Sequence, residues 1–391
     1  MSPRAAISVD DLRRQARARI PKFAFDFVDG GAGTEDGLAR NGDAFRDACL
    51  VPRVLVNSAA PANTRRAFLG REWSVPFGIA PIGLPGLAWP GADTAMARAA
   101  QWAGAPFTAS TPATTTLEDL KAAAPDSAFF QLYVGKSPEI TDDLIARAEA
   151  AGYETLVVTA DVPRPGKRLR DLRNGFALPL RFTPRLLSDL ATHPAWSLAT
   201  LRHGAPRFAN LARYAGDGTG ARSLAELMAG QSSGRLDWDL LGRIRERWRG
   251  TLVLKGVMHP EDAVRAAAQG VDAVQVSNHG GRQFNAAPAT LVALREVRAA
   301  VPPGFPVAVD GGVRSGEDVL KALDAGADFV FLGRPFLYAL GALGTDGPAD
   351  LMTLLAAELE VAMAQTGRQR LDPRRSTHKA EQREQDLHAA G

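Results

Sequence analysis

From about residue 75 onward the chain alternates short, β-rich apolar runs with Ala-, Leu-, Glu- and Arg-rich stretches of helical period, and it does so eight times. The strands predicted are Phe77–Ala80, Pro106–Ala109, Ala128–Tyr133, Thr155–Thr159, Leu252–Lys255, Ala273–Ser277, Pro306–Val309 and Phe329–Leu332. Helices are predicted at Asp93–Ala103, Leu117–Ala124, Pro138–Ala151, Trp238–Trp248, Pro260–Gln269, Ala289–Ala300 and Gly316–Ala325. Ser137-Pro138 and His259-Pro260-Glu261 mark helix starts, with proline in the first turn. Strands joined through helices run parallel, and a parallel sheet needs helices to cover it. Eight such units predict an α/β fold of the closed (β/α)8 type, a TIM barrel. A doubly wound open sheet is the alternative. It lacks an early Gly-x-Gly-x-x-Gly turn, and the glycines between Gly78 and Gly91 have the wrong spacing for one.

Two segments stand outside this repeat. Residues 1–70 are expected to form a helical N-terminal cap, with Phe23-Ala24-Phe25-Asp26-Phe27 leading into Gly30-Gly31-Ala32-Gly33. Residues 175–236 separate units four and five and are far too long for a connector. The barrel with this insert is expected to span residues 71–367, followed by a polar tail, 368–391, that is disordered at its end. Between 181 and 216 the five arginines Arg181, Arg185, Arg202, Arg207 and Arg213 face one acid, Asp189, with Phe182, Trp196, Phe208 and Tyr214 interleaved. Such an insert can lie on an anionic membrane surface. It can equally be a barrel lid or a subunit contact, and both readings stay open.

With 391 residues, 46% of them hydrophobic, the chain can bury a large core. Lys and Arg number 46 against 43 Asp and Glu, and no long basic run carries interleaved aromatics, so a nucleic-acid partner is not expected. The single cysteine, Cys49, excludes an intrachain disulfide framework and a CxxC metal site, and it reads as a buried small hydrophobe. No metal is expected. Residues 1–20 are charged and lack the apolar stretch of a signal peptide. No segment approaches the ~20 apolar residues that span a bilayer. The expectation is a cytoplasmic protein, with the insert as its one route to the inner face of the cell membrane.

In a barrel of this type the active site lies at the C-terminal ends of the strands. Read in order, those ends carry Pro81 and Gly83; Ser110 and Thr111; Gln131 and Tyr133, two apart and so on one face; Thr159 and Asp161, with Arg164, Lys167 and Arg168 beyond. Then come Lys255; the run Ser277-Asn278-His279-Gly280-Gly281-Arg282-Gln283; Asp310-Gly311-Gly312-Val313-Arg314; and Gly333-Arg334. A purely structural barrel has no need of polar groups at all eight ends. Gly311, Gly312 and Gly333 with Arg314 and Arg334 form the usual phosphate corner after strands seven and eight. Gln131, Thr159 and Ser277 suit the edge of a ring, and Lys255 places a cation beside a ring that turns anionic on two-electron reduction. Together these groups describe flavin mononucleotide (FMN). His279 and Arg282, three residues apart, bring a proton acceptor and a carboxylate fork to one small substrate.

These motifs resemble the FMN-dependent L-2-hydroxy acid oxidases and dehydrogenases, the family of glycolate oxidase, respiratory L-lactate dehydrogenase and mandelate dehydrogenase. The resemblance covers roughly residues 8–367, and Phe130-Gln131-Leu132-Tyr133 and Gly166-Lys167-Arg168 fit it too. It implies FMN contacts at Pro81, Gly83, Ser110, Gln131, Thr159, Lys255, Ser277, Asp310, Gly312, Arg314, Gly333 and Arg334. It also implies substrate contacts at Tyr133, Arg168 and Arg282, a base at His279 steadied by Asp161, and a homotetramer. The activity implied is oxidation of a 2-hydroxy acid to the 2-oxo acid.

Three places in the chain depart from the family pattern. Phe27 stands after Asp26 where a tyrosine usually meets the substrate carboxylate, so that group is held by fewer hydrogen bonds or an aromatic substrate is packed instead. Asn285-Ala286 replaces the usual Asp-Gly, and Gly83 stands where many oxidases have alanine, which is expected to leave space near the flavin. The stretch from Thr192-His193-Pro194-Ala195-Trp196 to Tyr214-Ala215-Gly216 resembles the loop of respiratory L-lactate dehydrogenases, which are peripheral membrane proteins. A quinone-type electron acceptor is therefore preferred over dioxygen and an H2O2-forming oxidase. A phosphate-binding barrel isomerase would keep the glycine turns but gives no reason for His279 with Arg282.

Overall fold

The computed structural model describes residues 6–176, 183–214 and 233–371. Arg181, Phe182, Ala215-Gly216 and the polar tail beyond 371 lie outside the described residues.

The cap opens with three helices, α1 (Val9–Arg19), α2 (Lys22–Asp29) and α3 (Asp36–Asp47). Ser8 starts α1 by accepting a hydrogen bond from Asp11 N at 3.1 Å. The cap is helical only as far as Asp47. Residues 48–65 contain no helix and run over the surface, and a β-hairpin, β1 (Arg66–Phe68) and β2 (Arg71–Trp73), straddles the boundary expected at residue 70. Cys49 sits in that surface run and is exposed, so it is not the buried hydrophobe the composition suggested.

Eight parallel strands then close into a barrel. They are β3 (Phe77–Ile79), β4 (Phe107–Ser110), β5 (Ala128–Leu132), β6 (Thr155–Thr159), β7 (Thr251–Val257), β8 (Ala273–Val276), β9 (Val307–Asp310) and β10 (Phe329–Leu332). β10 closes on β3, with Val330 opposite Phe77. Alternate strand residues face opposite ways. Leu156, Val158, Val274 and Val276 join the core under the helices, while Phe129, Val157, Val253, Ala308, Phe329 and Phe331 form a separate cluster. The hairpin belongs to that second cluster: Phe68 stacks on Phe329 at 4.8 Å, and Trp73 meets Phe129 edge-on at 5.9 Å. These partners stand at the starts of their strands, so the hairpin plugs the N-terminal end of the barrel.

Around the barrel and its insert lie α4 (Ala92–Ala103), α5 (Leu117–Ala123), α6 (Pro138–Ala150), α7 (Leu169–Arg173), α8 (Pro184–Thr192) and α9 (Pro194–His203). They are followed by α10 (Trp238–Arg247), α11 (Pro260–Ala268), α12 (Thr290–Ala300), α13 (Gly316–Asp324), α14 (Arg334–Leu343) and α15 (Gly347–Gln365). The sequence did not mark α14 as a helix, because residues 334–342 are buried on every side and leave no polar stripe. It is clasped by α1, whose Ala16 Cβ lies where a side chain on Gly341 would begin, at 2.9 Å.

In the insert, two aromatics expected to interleave with the arginines turn inward. Trp196 is buried and donates to Leu87 O at 3.0 Å, and Phe208 is buried as well. Burying them against the barrel satisfies both the rings and the indole N–H. Leu187, Leu198 and Leu201 take the exposed face instead, Leu201 at 81% exposure. Among the described residues no helix is long and apolar enough to cross a membrane.

Candidate active site

β8 ends at Val276 and the chain turns through a single 3-10 turn, His279–Gly281. His279, Gly280 and Gly281 all have positive φ, at 57°, 61° and 72°. A non-glycine residue there is strained by roughly 1–3 kcal/mol. The turn is pinned by Asn278, whose Oδ1 accepts from Gly281 N at 3.1 Å, and by Ser277 Oγ, which accepts from His279 N at 3.0 Å. Its result is to aim the imidazole. Nδ1 lies 3.1 Å from Asp161 Oδ1, and Nε2 lies 3.4 Å from the Tyr133 hydroxyl. A carboxylate on Nδ1 fixes the tautomer that leaves Nε2 as the proton acceptor. Burial alone would raise the pKa of Asp161, but the nearby charges of His279 and Lys255 outweigh it and hold the carboxyl below its ordinary range. Asp161 can pack there because β7 bulges at Gly256 (φ 100°), where a Cβ would lie 2.6 Å from that of Asp161. Burial, helped by the Asp161 charge, pushes Tyr133 well above its usual value, so it remains a hydroxyl donor.

Arg282 faces the same cavity. Its Nη1 donates to Gly30 O at 2.9 Å, and its Cζ sits 5.2 Å from the centroid of Phe27, on α2. Burial, then the guanidiniums of Arg168 and Arg334, push its pKa well down. Arginine does not give up its proton under such pressure. An anion set against the guanidinium would offset that pressure. Arg168 also approaches Phe27, its Cζ 5.2 Å from the ring centroid, and forms an ion pair with Asp171 at 3.2 Å. Phe27 in turn leans on Phe176, with centroids 5.3 Å apart.

The cavity is lined by Phe27, Pro81, Gly83, Lys255, His279, Arg282, Asp310, Gly312, Arg314, Gly333 and Arg334. Thr159 pairs in register with Lys255, Ser110 with Gln131, and Ser277 accepts from Lys255 Nζ at 2.9 Å, so the expected cofactor residues share one rim. Burial disfavours the Lys255 charge, yet Asp310 and Asp161 overcome this and hold its pKa above the ordinary value. Asp310 is itself engaged: it accepts from Ser277 at 2.7 Å and Gln275 at 2.6 Å, besides pairing with Lys255 at 3.2 Å. It acts as an anchor for the groups around it.

Whether FMN suits these residues can be tested on the rim itself. Gln131 Nε2 and Thr159 Oγ1 are buried without any hydrogen-bond partner, although Gln131 Oε1 accepts from Ser110 at 2.9 Å. Orphaned polar atoms of this kind are rare unless a ligand edge completes them. At the other end Gly311 and Gly312 have φ of 94° and 98°, and a Cβ on Gly312 would strike Asn41 O at 2.8 Å. α14 starts directly after Gly333, so its N-terminus adds a positive dipole end to this corner. Burial, opposed by Tyr338 and reinforced by Arg314, lowers Arg334 to about 10. A dianion relieves that cluster. The rim fits a flavin ring at one end and a phosphate at the other.

Two details add to the sequence reading. Gly83 lines the cavity, and a Cβ there would lie 2.9 Å from Pro112 Cγ, so the glycine also answers a close proline. The Arg334 side chain is occupied by backbone carbonyls, at 3.1 Å to Val28, 2.7 Å to Gly280 and 2.7 Å to Gly30, and so ties the cap to the catalytic turn. Sequence reasoning missed Gln275, although it stands two residues before Ser277 and therefore on the same strand face. It also missed the amide pair Asn41 and Asn278, joined by two 2.9 Å hydrogen bonds, and no spacing rule connects positions so far apart in the chain.

Comparison with known proteins agrees with this geometry. (S)-Mandelate dehydrogenase of Pseudomonas putida is 39% identical over 360 residues, covering 92% of this chain and 90% of that one. L-Lactate dehydrogenase of Caulobacter vibrioides (strain NA1000 / CB15N) is 40% identical over 361 residues, covering 92% and 94%. The crystal structure of the monotopic membrane protein (S)-mandelate dehydrogenase superposes with a TM-score of 0.90 at 38% identity, covering 94% of this chain and 96% of that chain. The FMN-dependent dehydrogenase family matches residues 16–379. With a closed barrel, a rim that fits FMN and relatives aligned over nearly its whole length, this chain belongs to the FMN-dependent dehydrogenase family.

Proposed function

We propose that the enzyme oxidises an L-2-hydroxy acid of the lactate or mandelate type to the 2-oxo acid and passes the electrons to a quinone-type acceptor. The observation that carries this reading is the line Tyr133–His279–Asp161, whose His279 faces one cavity together with Arg282. Arg282 offers a planar fork to the substrate carboxylate, an anion that offsets the pressure on its charge. His279 Nε2 takes a proton from the substrate, and Asp161 stabilises the imidazolium that results. Tyr133, held as a donor, hydrogen-bonds the substrate hydroxyl. FMN, when bound, supplies the two-electron sink. Lys255 is a fixed cation suited to the charge that this reduction adds.

Related enzymes are lactate and mandelate dehydrogenases, and one neighbour is a monotopic membrane protein. We place α8 and α9 against the membrane surface, with the exposed Leu187, Leu198 and Leu201 entering the interface beside Arg185 and Arg202. The same reading takes the enzyme as a homotetramer. The test is a two-step spectroscopic one. The yellow protein should bleach anaerobically with (S)-mandelate or L-lactate. The reduced enzyme should then be reoxidised at least about tenfold faster by a quinone carried in anionic vesicles than by dissolved dioxygen. A protein that stays yellow with every L-2-hydroxy acid removes the reading. Faster reoxidation by dioxygen makes it an oxidase.

Phe27 bears on side-chain preference. An apolar ring within 5.2 Å of both Arg168 and Arg282 favours a substrate with a bulky apolar group. Phe27→Tyr adds one hydroxyl near the carboxylate site, worth about 1 kcal/mol or roughly fivefold. It should raise kcat/KM for L-lactate relative to (S)-mandelate by about that factor. An unchanged ratio of the two would show that the ring does not set preference.

A further inference from the structure

The segment that carries His279 and Arg282 is gripped from outside by the cap, and Asn285 is at the centre of the grip. Its Oδ1 accepts from Gly37 N at 3.1 Å, and its Nδ2 donates to Thr34 Oγ1 and to Asp36 Oδ2, each at 2.9 Å. Arg40 donates to the backbone carbonyls of Asn285 and Ala287. The seat is cut by two glycines. A Cβ on Gly33 would fall 3.2 Å from that of Asn285, and one on Gly37 would fall 2.9 Å from Asn285 O. Nearer the catalytic turn, Ala32 N donates to Gly281 O at 2.9 Å.

The contact has a polarity. Asn285 turns its donor to a carboxylate that also accepts from Thr34. Those two bonds, Thr34 first, hold the Asp36 pKa below its ordinary value, with Arg40 adding to them. Of the charged residues nearby, Glu35 accepts from Arg170 and from Gly31 N and Arg282 turns to Gly30 O, while Lys167 meets the cap through its backbone carbonyl, to Gly33 N at 2.9 Å. A carboxylate at position 285 would face Asp36 acceptor to acceptor.

We infer that Asn285 is a positioning residue, and that its bond to Asp36 holds the loop bearing His279 and Arg282 in register with the cap bearing Phe27. This deepens the functional reading above and rests on it. The substrate carboxylate would sit between Arg282 on the loop and Phe27 on the cap, so a slip between the two elements changes the gap it occupies. Misplacement on the scale of 1 Å at a remote contact is enough to be felt at a site. The effect belongs to substrate engagement, so it appears in KM before kcat.

The test uses the full-length, FMN-loaded protein with Asn285→Asp and Asp36→Asn, singly and together, assayed with (S)-mandelate. At pH 8 Asn285→Asp should raise KM about tenfold while kcat stays within about twofold. The ratio to wild type should shrink toward one near pH 5, because two facing carboxylates take up a shared proton more readily than one alone. Combining both substitutions exchanges donor and acceptor across the contact and should restore KM to within about twofold. Amide exchange at Gly37 and Ala32 should quicken in Asn285→Asp, compared with wild type at the same pH, and slow again in the double variant. Should Asn285→Asp not fold, Asp36→Ala removes only the exposed acceptor and should raise KM and Gly37 exchange in the same direction. Unchanged KM, a pH-independent change, or a defect the double variant does not relieve overturns the inference. The exchange measurement needs no turnover, so a wild-type protein inert toward every 2-hydroxy acid would refute the functional reading separately.

Discussion

His279→Gln should leave the protein yellow and folded while slowing anaerobic flavin reduction by about a thousandfold or more, the scale of a lost general base. On the proposed reading the imidazole is the proton acceptor, with Asp161 at 3.1 Å on one nitrogen and Tyr133 at 3.4 Å from the other. Glutamine fills a similar volume and can still donate to Asp161, but its amide takes no proton at neutral pH. None of the orphaned rim atoms, the glycine corner or Lys255 is changed, so flavin retention should match wild type. The position is left-handed, with φ at 57°, so glutamine carries a backbone cost similar to that of histidine. Stopped-flow absorbance of the flavin band after mixing with (S)-mandelate is the direct measurement. A variant that bleaches at near the wild-type rate would assign the proton transfer to another group.

Arg282→Lys should lower kcat/KM about a hundredfold, with most of the loss in KM. Lysine keeps the charge but not the fork, so two charge-assisted hydrogen bonds to the carboxylate become one, at a cost of about 2–3 kcal/mol. The change also removes the guanidinium face over Phe27 and the 2.9 Å bond to Gly30 O, which loosens the cap against the catalytic loop. Relief of crowding with Arg168 and Arg334 works the other way, but a flexible ammonium gains little from it when the substrate must be held in one pose. Steady-state kinetics with (S)-mandelate and with its uncharged amide separate the two contributions. The variant should lose its preference for the acid while the amide changes little. An equal loss on both would mean that Arg282 supports the loop and does not bind the carboxylate.

Much of the fold was legible because each βα unit carries its own local signals. The eight apolar runs became eight parallel strands, with ends that differ by at most two residues. Their C-terminal ends carry the polar groups that line the cavity or stand on its rim. What the sequence did not reveal depends on tertiary surroundings. α14 lacks an amphipathic stripe since it is enclosed on all sides. The hairpin β1–β2 is three residues a side, too short for alternation to register. Trp196 and Phe208 read as surface aromatics only because nothing local tells an inward ring from an outward one. In the site, the approach of Pro112 to Gly83 is a contact between two strand ends that no spacing encodes. The bonds from Arg334 and Arg282 to the carbonyls of Val28 and Gly30 join parts of the chain more than 250 positions apart.

The aromatic stopper made by Phe68, Trp73 and Phe329 shuts the far end of the cylinder. With aromatic rings packed at that end, the proposed reaction would bring fuel, spent product and oxidant through the mouth at the other. Traffic through one doorway must take turns: the 2-oxo acid has to leave before a bulky electron carrier can approach. The enzyme should therefore cycle between two visits, giving parallel double-reciprocal lines when acid and quinone are varied together.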